Sequence, residues 1–371
     1  MKILVLNPDR LSNPTGGIGT SFRELYKRLK YDVDFYVVGY PDPDSPVEQY
    51  RSAITSLKLE HGGVAGLLCH SIYIMEALKF GIIPDAVHAH DWSVYFAAAE
   101  LAEYFKVPLI VTMQTSPKVL MQHDIFFCDN NQSIDGSHIQ ATHLEIEEYG
   151  LQKATHIINA SKSFAKQFPE HDYKTTVIPL GINLSDWENP NQITLPGEKE
   201  FKIVYTGRIA AVKGLEFLLN AQIPSNVDVI ILGDKDEVEE FAIAHLESTE
   251  GFHIMDRAYG QDYIDLLCAA DAVIIPSLHE PFGAAGLEAL ASKSILISSR
   301  ADGLGDYLNW NNSVHTEVSH TGIEQAYETF LSMSVDEKEQ MINNGLKTCL
   351  QYDWDDIAKM YLDVYKKTID K

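Results

Sequence analysis

Asp271-Ala-Val-Ile-Ile-Pro276-Ser-Leu-His-Glu280-Pro-Phe-Gly-Ala-Ala-Gly-Leu-Glu288 is the stretch that decides the fold. The apolar run at its start reads as a strand buried on both faces, which is the mark of a parallel sheet. A Gly-containing loop follows, and then a helix predicted from about Gly283 to Ser292. Ligands of open α/β sheets bind at such strand ends. Glu280 falls in the loop and Glu288 two turns along the helix, with the amides of Gly283, Ala284 and Ala285 at the helix start. Free N–H groups and the helix dipole there attract a hydroxyl-rich, anionic ligand. The same two residues also read as a solvated loop carboxylate and an ordinary helical Glu.

Working outward, apolar runs alternate with amphipathic stretches in the β-α-β manner. Strands are expected near Ile3 to Leu6, Asp34 to Val38, Ala86 to Ala89, Leu109 to Met113, His156 to Asn159 and Thr176 to Ile178. A second series opens at Phe201 and continues at Val227 to Leu232, Phe252 to Met255, Ala272 to Ile275 and Ile295 to Ser298. Between the two lies Asn189-Pro-Asn-Gln-Ile-Thr-Leu-Pro-Gly-Glu-Lys199, whose Pro, Asn and Gly mark a linker. The expectation is an α/β protein of two Rossmann-like, doubly wound domains facing a central cleft. They would span residues 1–189 and 190–352. A last helix, within 353–371, would place Ile357, Met360, Tyr361, Val364 and Tyr365 on one face and pack across both domains.

Length agrees, since 371 residues exceed the ~250 to 300 that one core supports. The formal charge of −24 is uneven: residues 1–180 carry 15 basic and 21 acidic side chains, and residues 181–371 carry 14 and 32, so the halves stand at −6 and −18. So acidic a surface repels nucleic-acid phosphates and anionic lipid but admits a neutral polymer. The four cysteines, Cys69, Cys128, Cys268 and Cys349, are scattered with neither C-x-x-C spacing nor a nearby His, which argues against zinc and against a disulfide framework. Free thiols suit a reducing, cytoplasmic compartment. Met1 to Asn7 reads as the first strand rather than a leader, and no run approaches the ~20 apolar residues of a membrane span.

Further segments carry chemistry. Gly16, Gly17 and Gly19 precede an amphipathic helix and let backbone approach a ligand, but their spacing fails the G-x-G-x-x-G dinucleotide fingerprint. In His88-Ala-His90-Asp91-Trp92, Asp91 can cap the next helix. His88 reads as a satisfied core residue, and His90 as a ligand contact at the strand-end cleft. Tyr205-Thr-Gly-Arg208 closes a strand, and Lys213-Gly214 begins the next helix. Only Arg208, Arg257 and Arg300 are arginines in the −18 half. Arg208 with Lys213 suits phosphate oxygens, with a surface salt bridge to Glu216 as the other reading. Asp42-Pro-Asp44 and Asp234-Lys-Asp236 could hold a divalent ion but look like turns. No metal site is expected.

Together these pieces resemble the retaining glycosyltransferases of the GT-B fold, specifically the glycogen and starch synthase-like group of glycosyltransferase families four and five. The resemblance runs the length of the chain: Gly-Gly-Ile-Gly19, His-Ala-His-Asp-Trp92, Val-Ile-Pro-Leu-Gly-Ile-Asn183, Thr-Gly-Arg208 with Lys213-Gly, Glu280-Pro-Phe-Gly with Glu288, Ala-Asp-Gly-Leu-Gly-Asp306 and Tyr-Asp-Trp354. It implies that Arg208 and Lys213 neutralise a donor diphosphate, that Glu280 holds sugar hydroxyls, and that Glu288 clasps the ribose. It further implies that His90 contacts the transferred sugar. The donor-binding loops would be those of Gly16 and Gly17 and of Phe282, Gly283 and Ala284, whose amides bind phosphate or sugar oxygens, while Tyr259 sits against the base. Thr15 and Gln114 depart from the synthase pattern, which has Lys in the first loop and often a His after the fourth strand. Those departures bear on glucan synthesis and leave sugar transfer intact.

What the resemblance implies is a metal-independent hexosyltransferase that keeps the anomeric configuration, needs no cofactor, and moves a hexose, most simply glucose, from a UDP-, ADP- or GDP-linked sugar to an oligo- or polysaccharide. A family-four mannosyl- or galactosyltransferase with a lipid or small-molecule acceptor, and a nucleotide-sugar epimerase, share the architecture. Neither nucleic acid nor stable membrane insertion is expected, and the oligomeric state is not legible.

Overall fold

The computed structural model describes residues 1–12, 16–53, 63–122, 136–207, 209, 211–233 and 250–370. Two compact units emerge: Met1–Leu180 with Trp354–Lys371, and Gly181–Asp353. Among the described residues no helix is long and apolar enough to cross a membrane.

The first unit is built on seven parallel strands: β1 (Lys2–Asn7), β2 (Asp34–Gly39), β3 (Tyr50–Ser52), β4 (Ala86–His90), β5 (Leu109–Met113), β6 (His156–Asn159) and β7 (Thr175–Val177). They run in the order β3-β2-β1-β4-β5-β6-β7. The central strands β4 and β5 are buried along their whole length, as continuous apolar runs require when helices cover both faces. One face packs Leu4, Leu6, Ala89 and Val111 against Ala97, Ala98 and Leu101 of helix Tyr95–Phe105. Gly150 lets helix Gly136–Lys153 lie on that helix, because a Cβ there would fall on the Tyr95 side chain.

The other face meets the closing helix, Trp354–Ile369. Its Tyr365 hydroxyl lies 2.8 Å from His88 Nδ1, and the ring packs edge-on against Phe35. Asp355 accepts a 2.6 Å hydrogen bond from Arg28 of helix Gly17–Leu29. The helix expected to span both domains clusters with the first unit, its buried stripe of Ile357, Tyr361, Val364 and Tyr365 facing that core, while Met360, expected on the same face, is exposed.

The second unit carries β8 (Phe201–Tyr205), β9 (Val227–Leu232), β10 (Phe252–Met255), β11 (Ala272–Ile275), β12 (Ile295–Ser298) and β13 (Val314–His315), parallel in the order β10-β9-β8-β11-β12-β13. The chain enters at Gly181 and leaves at Asp353 side by side, with Ile182 N donating to Tyr352 O at 2.7 Å. The stretch read as a linker folds onto this unit. Asn191 bonds Asp265 through its amide and side chain at 2.8 and 2.7 Å, and Leu195 is buried.

Both sheets reverse direction once. The first builds outward from β1 to β3 and restarts at β4 on the other side of β1; the second builds from β8 to β10 and restarts at β11. The C-terminal ends of β1 and β4, and of β8 and β11, are therefore the topological switch points, where two loops diverge and leave a crevice.

The anchoring of the closing helix is testable. Tyr365→Phe strands a buried His88 nitrogen and should lower the unfolding free energy of the first unit by about 1–3 kcal/mol. The exposed Tyr31→Phe should leave the denaturation curve unchanged; equal curves for both variants would contradict the anchor.

Candidate active site

At the β8/β11 switch point the decisive stretch takes the form expected of it. Strand β11 ends at Ile275, an irregular loop follows, and helix Ala284–Ala291 begins after Gly283, whose φ of 85° is the left-handed conformation that favours glycine. Glu280 is buried in that loop, and its Oε1 accepts hydrogen bonds from Lys213 Nζ at 2.5 Å and Ser277 Oγ at 2.9 Å.

Lys213 reaches Glu280 because the backbone brings it there. Gly214 has φ 70°, and a Cβ on it would fall on the carbonyl oxygen of Pro276. Alongside, Leu278 N donates to Val212 O at 2.8 Å. The loop leaving β8 thus lies directly on the loop leaving β11. An ion pair so withdrawn from water adds little stability, because desolvation offsets the Coulomb attraction. Its location at a switch point makes it a candidate for chemistry.

Glu288 lies on the second turn of the helix, and burial raises its pKa. The Tyr263 hydroxyl donates to its Oε2 at 2.9 Å. With that proton committed, Tyr263 accepts from Thr206 Oγ1 at 2.8 Å, so a hydroxyl chain links the end of β8 to Glu288. Sequence reasoning missed Tyr263, since a Tyr on a helix facing a core carries no polar signal.

The remaining donor-side residues are placed as follows. The Phe282 side chain is buried against Tyr307 and Tyr352, so only its backbone is available to a ligand. Among the described residues, no side chain caps Gly283 or the start of the helix at Ala284. Tyr259 is 43% exposed at the N-terminus of helix Gly260–Cys268. Arg300 lies over Trp310, 4.2 Å from the ring centroid, and donates to Ser313 O at 2.8 Å. Arg208, Asp234 and Asp236 lie outside the described residues, as does Thr15.

At the β1/β4 switch point, Gly16 caps helix Gly17–Leu29 in extended conformation with open space around its Cα. Gly17 faces Leu180 and Gln114, and Gln114 Nε2 donates to Ser21 Oγ at 2.7 Å. The amide of Gly19 donates to Asp9 Oδ2 at 3.0 Å, so a carboxylate already sits at this helix start. Asp42 accepts the amides of Leu11 and Ser12 at 2.7 and 2.9 Å, which makes it a brace for this loop.

His88 and His90, two residues apart on β4, face the same side of the sheet, with ring centroids 4.1 Å apart and ring planes tilted by 43°. His88 is the satisfied core residue, bonded to Tyr365 and, at 2.8 Å, to Thr112 Oγ1. His90 differs: it is fully buried, yet among the described residues neither ring nitrogen has a hydrogen-bond partner. Burial pushes its pKa down to about 3, so the imidazole is neutral at physiological pH. A buried polar group left unpaired costs ~1–3 kcal/mol, so it calls for an explanation, of which a ligand is one. Asp91 next to it has φ 76°, a strained value for a residue with a side chain, and burial raises its pKa to about 6. Its carboxylate accepts from Thr115 Oγ1 at 2.6 Å.

Residues 15–186 match the family model for Glycosyltransferase Family 4, and residues 186–348 match that for Glycosyl transferases group 1. An uncharacterized glycosyltransferase from Methanocaldococcus jannaschii is 25% identical, over 99% of this chain and 98% of its own. Glycogen synthase of Mycobacterium tuberculosis is 25% identical over 76% of this chain and 68% of its own. Among solved structures, sucrose-phosphate synthase from Thermosynechococcus elongatus superposes with a TM-score of 0.79 at 18% identity, covering 99% of this chain and 98% of that one. Anabaena HepE in complex with UDP-glucose gives 0.75 at 17%, covering 99% and 100%.

The close approach of the β8 and β11 loops has a measurable consequence. Gly260→Ala adds only left-handed strain, about 1 kcal/mol, since among the described residues an added Cβ would meet nothing within 4 Å. Gly214→Ala adds the same strain and a clash with Pro276 O, and should cost about 3 kcal/mol in chemical denaturation. Equal costs would contradict the packing of the two loops.

Proposed function

We propose, from the chain's membership of the glycosyltransferases of the GT-B fold, that it is a retaining, metal-independent hexosyltransferase that moves glucose from a nucleoside-diphosphate sugar to a saccharide acceptor. The observation that carries this reading is the Lys213–Glu280 pair, a cation and a carboxylate 2.5 Å apart at the β8/β11 switch point beside a helix start. A relative named glycogen synthase supports the same class, and fold neighbours named sucrose-phosphate synthase and HepE in complex with UDP-glucose share its architecture.

In this reading the donor diphosphate lies against Lys213 and the amides of Phe282, Gly283 and Ala284, with Arg208 as second cation by resemblance. The ammonium has three protons, so it can keep Glu280 and also grip a phosphate oxygen. As the bond from anomeric carbon to diphosphate breaks, negative charge grows on the leaving oxygen, and Lys213 acts most strongly there, in the transition state. Glu280 holds sugar hydroxyls and steadies positive character at the anomeric carbon. The acceptor oxygen bonds to that carbon from the same face, and its proton passes to the departing diphosphate. No protein nucleophile is involved. Glu288, oriented by Tyr263, takes the ribose hydroxyls, and Tyr259 lies against the base. His90, neutral and unpaired, hydrogen-bonds the transferred sugar.

The test is a panel of UDP-, ADP- and GDP-sugars, with and without maltooligosaccharide, with product anomers identified by NMR. Transfer should depend on acceptor, keep the donor configuration and survive EDTA. Nucleotide release without acceptor would point to an epimerase instead. Lys213→Ala should lower kcat about 10²- to 10³-fold with a smaller change in donor KM. Tyr263→Phe should weaken nucleoside-diphosphate binding about tenfold by calorimetry, the worth of one hydrogen bond to a carboxylate. Normal turnover by Glu280→Ala would remove the role given to that carboxylate.

A further inference from the structure

The loop after β12 contains a residue whose backbone conformation does not suit it. Asp302 has φ 41°, in the left-handed region where glycine sits with less strain. Its Oδ2 accepts the Nδ1–H of the buried His279 at 2.5 Å and the amide of Glu280 at 3.2 Å. Since a carboxylate only accepts, the His279 tautomer at this contact is Nδ1–H. The return bond comes from the next residue: Gly303 N donates to Glu280 O at 2.9 Å. Both backbone groups of Glu280 are therefore held by Asp302 and Gly303. The two loops touch so closely that a Cβ on Gly303 would fall on Pro281 O and Phe282 Cα.

We propose that Asp302 is a positioning residue for sugar transfer: through His279 and the Glu280 amide it locks the β11 loop so that the Glu280 carboxylate is presented to the sugar. The proposal rests on the reading of Glu280 given above. Strained backbone at a candidate site persists when surrounding contacts over-determine it, and here the carboxylate supplies those contacts. The competing explanation is that Asp merely tolerates the left-handed turn, as Asp and Asn do more readily than other side chains. The two explanations differ in what glycine would do. A turn residue is improved by glycine, whereas a clamp is destroyed by it.

The experiment uses the full chain with Asp302→Gly and Asp302→Asn, assayed with whichever nucleotide sugar of the panel the wild type turns over. Asp302→Gly relieves left-handed strain but strands the buried His279 Nδ1–H, so it should melt somewhat below the wild-type temperature while staying folded, and should lose about 10- to 100-fold in kcat with little change in donor KM, as expected when a reacting group is misplaced by about an ångström. Asp302→Asn, which keeps an acceptor and tolerates the turn, should recover much of that loss. Long-range ¹H–¹⁵N spectra should show His279 as the Nδ1–H tautomer in the wild type and altered in Asp302→Gly. Wild-type kcat in Asp302→Gly, or an Nε2–H tautomer in the wild type, overturns the proposal alone. A wild type inactive on the whole panel overturns the transferase reading and the proposal with it.

Discussion

Lys213 meets Glu280 only because two loops from neighbouring parallel strands are pressed backbone to backbone, with Gly214 under the Pro276 carbonyl and Val212 receiving the Leu278 amide. That constraint organises the second unit's site. It turns a reversal of strand order into a place where a cation, a carboxylate and open helix amides converge. Around it the second carboxylate, Glu288, is oriented by the Thr206–Tyr263 chain, and the β12 loop holds Glu280 from the other side. Each polar group is aimed by a neighbour on a different element, which is how a site on loops acquires rigidity.

The first unit solves a different problem. Around its strand ends the side chains of His90, Gln114 and Ser21 are uncharged, with His90 kept neutral by burial, while the Asp9 carboxylate holds the Gly19 amide. Neutral donors and acceptors suit sugar hydroxyls, which present both roles and no net charge. The adjacent carboxylate Asp91 is held by Thr115, and burial shifts its pKa into the range where protonation competes with charge. Another buried carboxylate, Glu147, is raised to about 7 and interacts electrostatically with Asp91.

Much of this was legible beforehand because buried parallel strands leave an unbroken apolar run, as in Ala272 to Ile275 and Leu109 to Met113. The edge strands β3 and β13, three and two residues long, carry no such run and left no signal. At residues 189–199 Pro and Asn mark the irregular backbone that is found there, but whether it packs depends on partners such as Asp265, far away in sequence. Periodicity found the apolar face of the closing helix and was silent on what that face meets, because a stripe of Ile, Tyr and Val fits any apolar surface.

By itself, then, the sequence determined the two α/β sheets and the identity of Lys213, Glu280, Glu288 and His90 as candidates, since strand runs, loop residues and their order are local properties. Tertiary structure alone decided that Lys213 touches Glu280, that Tyr263 bonds the Glu288 carboxylate and Asp302 the Glu280 amide, and that His88 is satisfied while, among the described residues, His90 is not. The reason is physical. Hydrogen bonds and ion pairs depend on distances of about 3 Å between groups separated by tens to hundreds of residues, and no local pattern of residues encodes those distances.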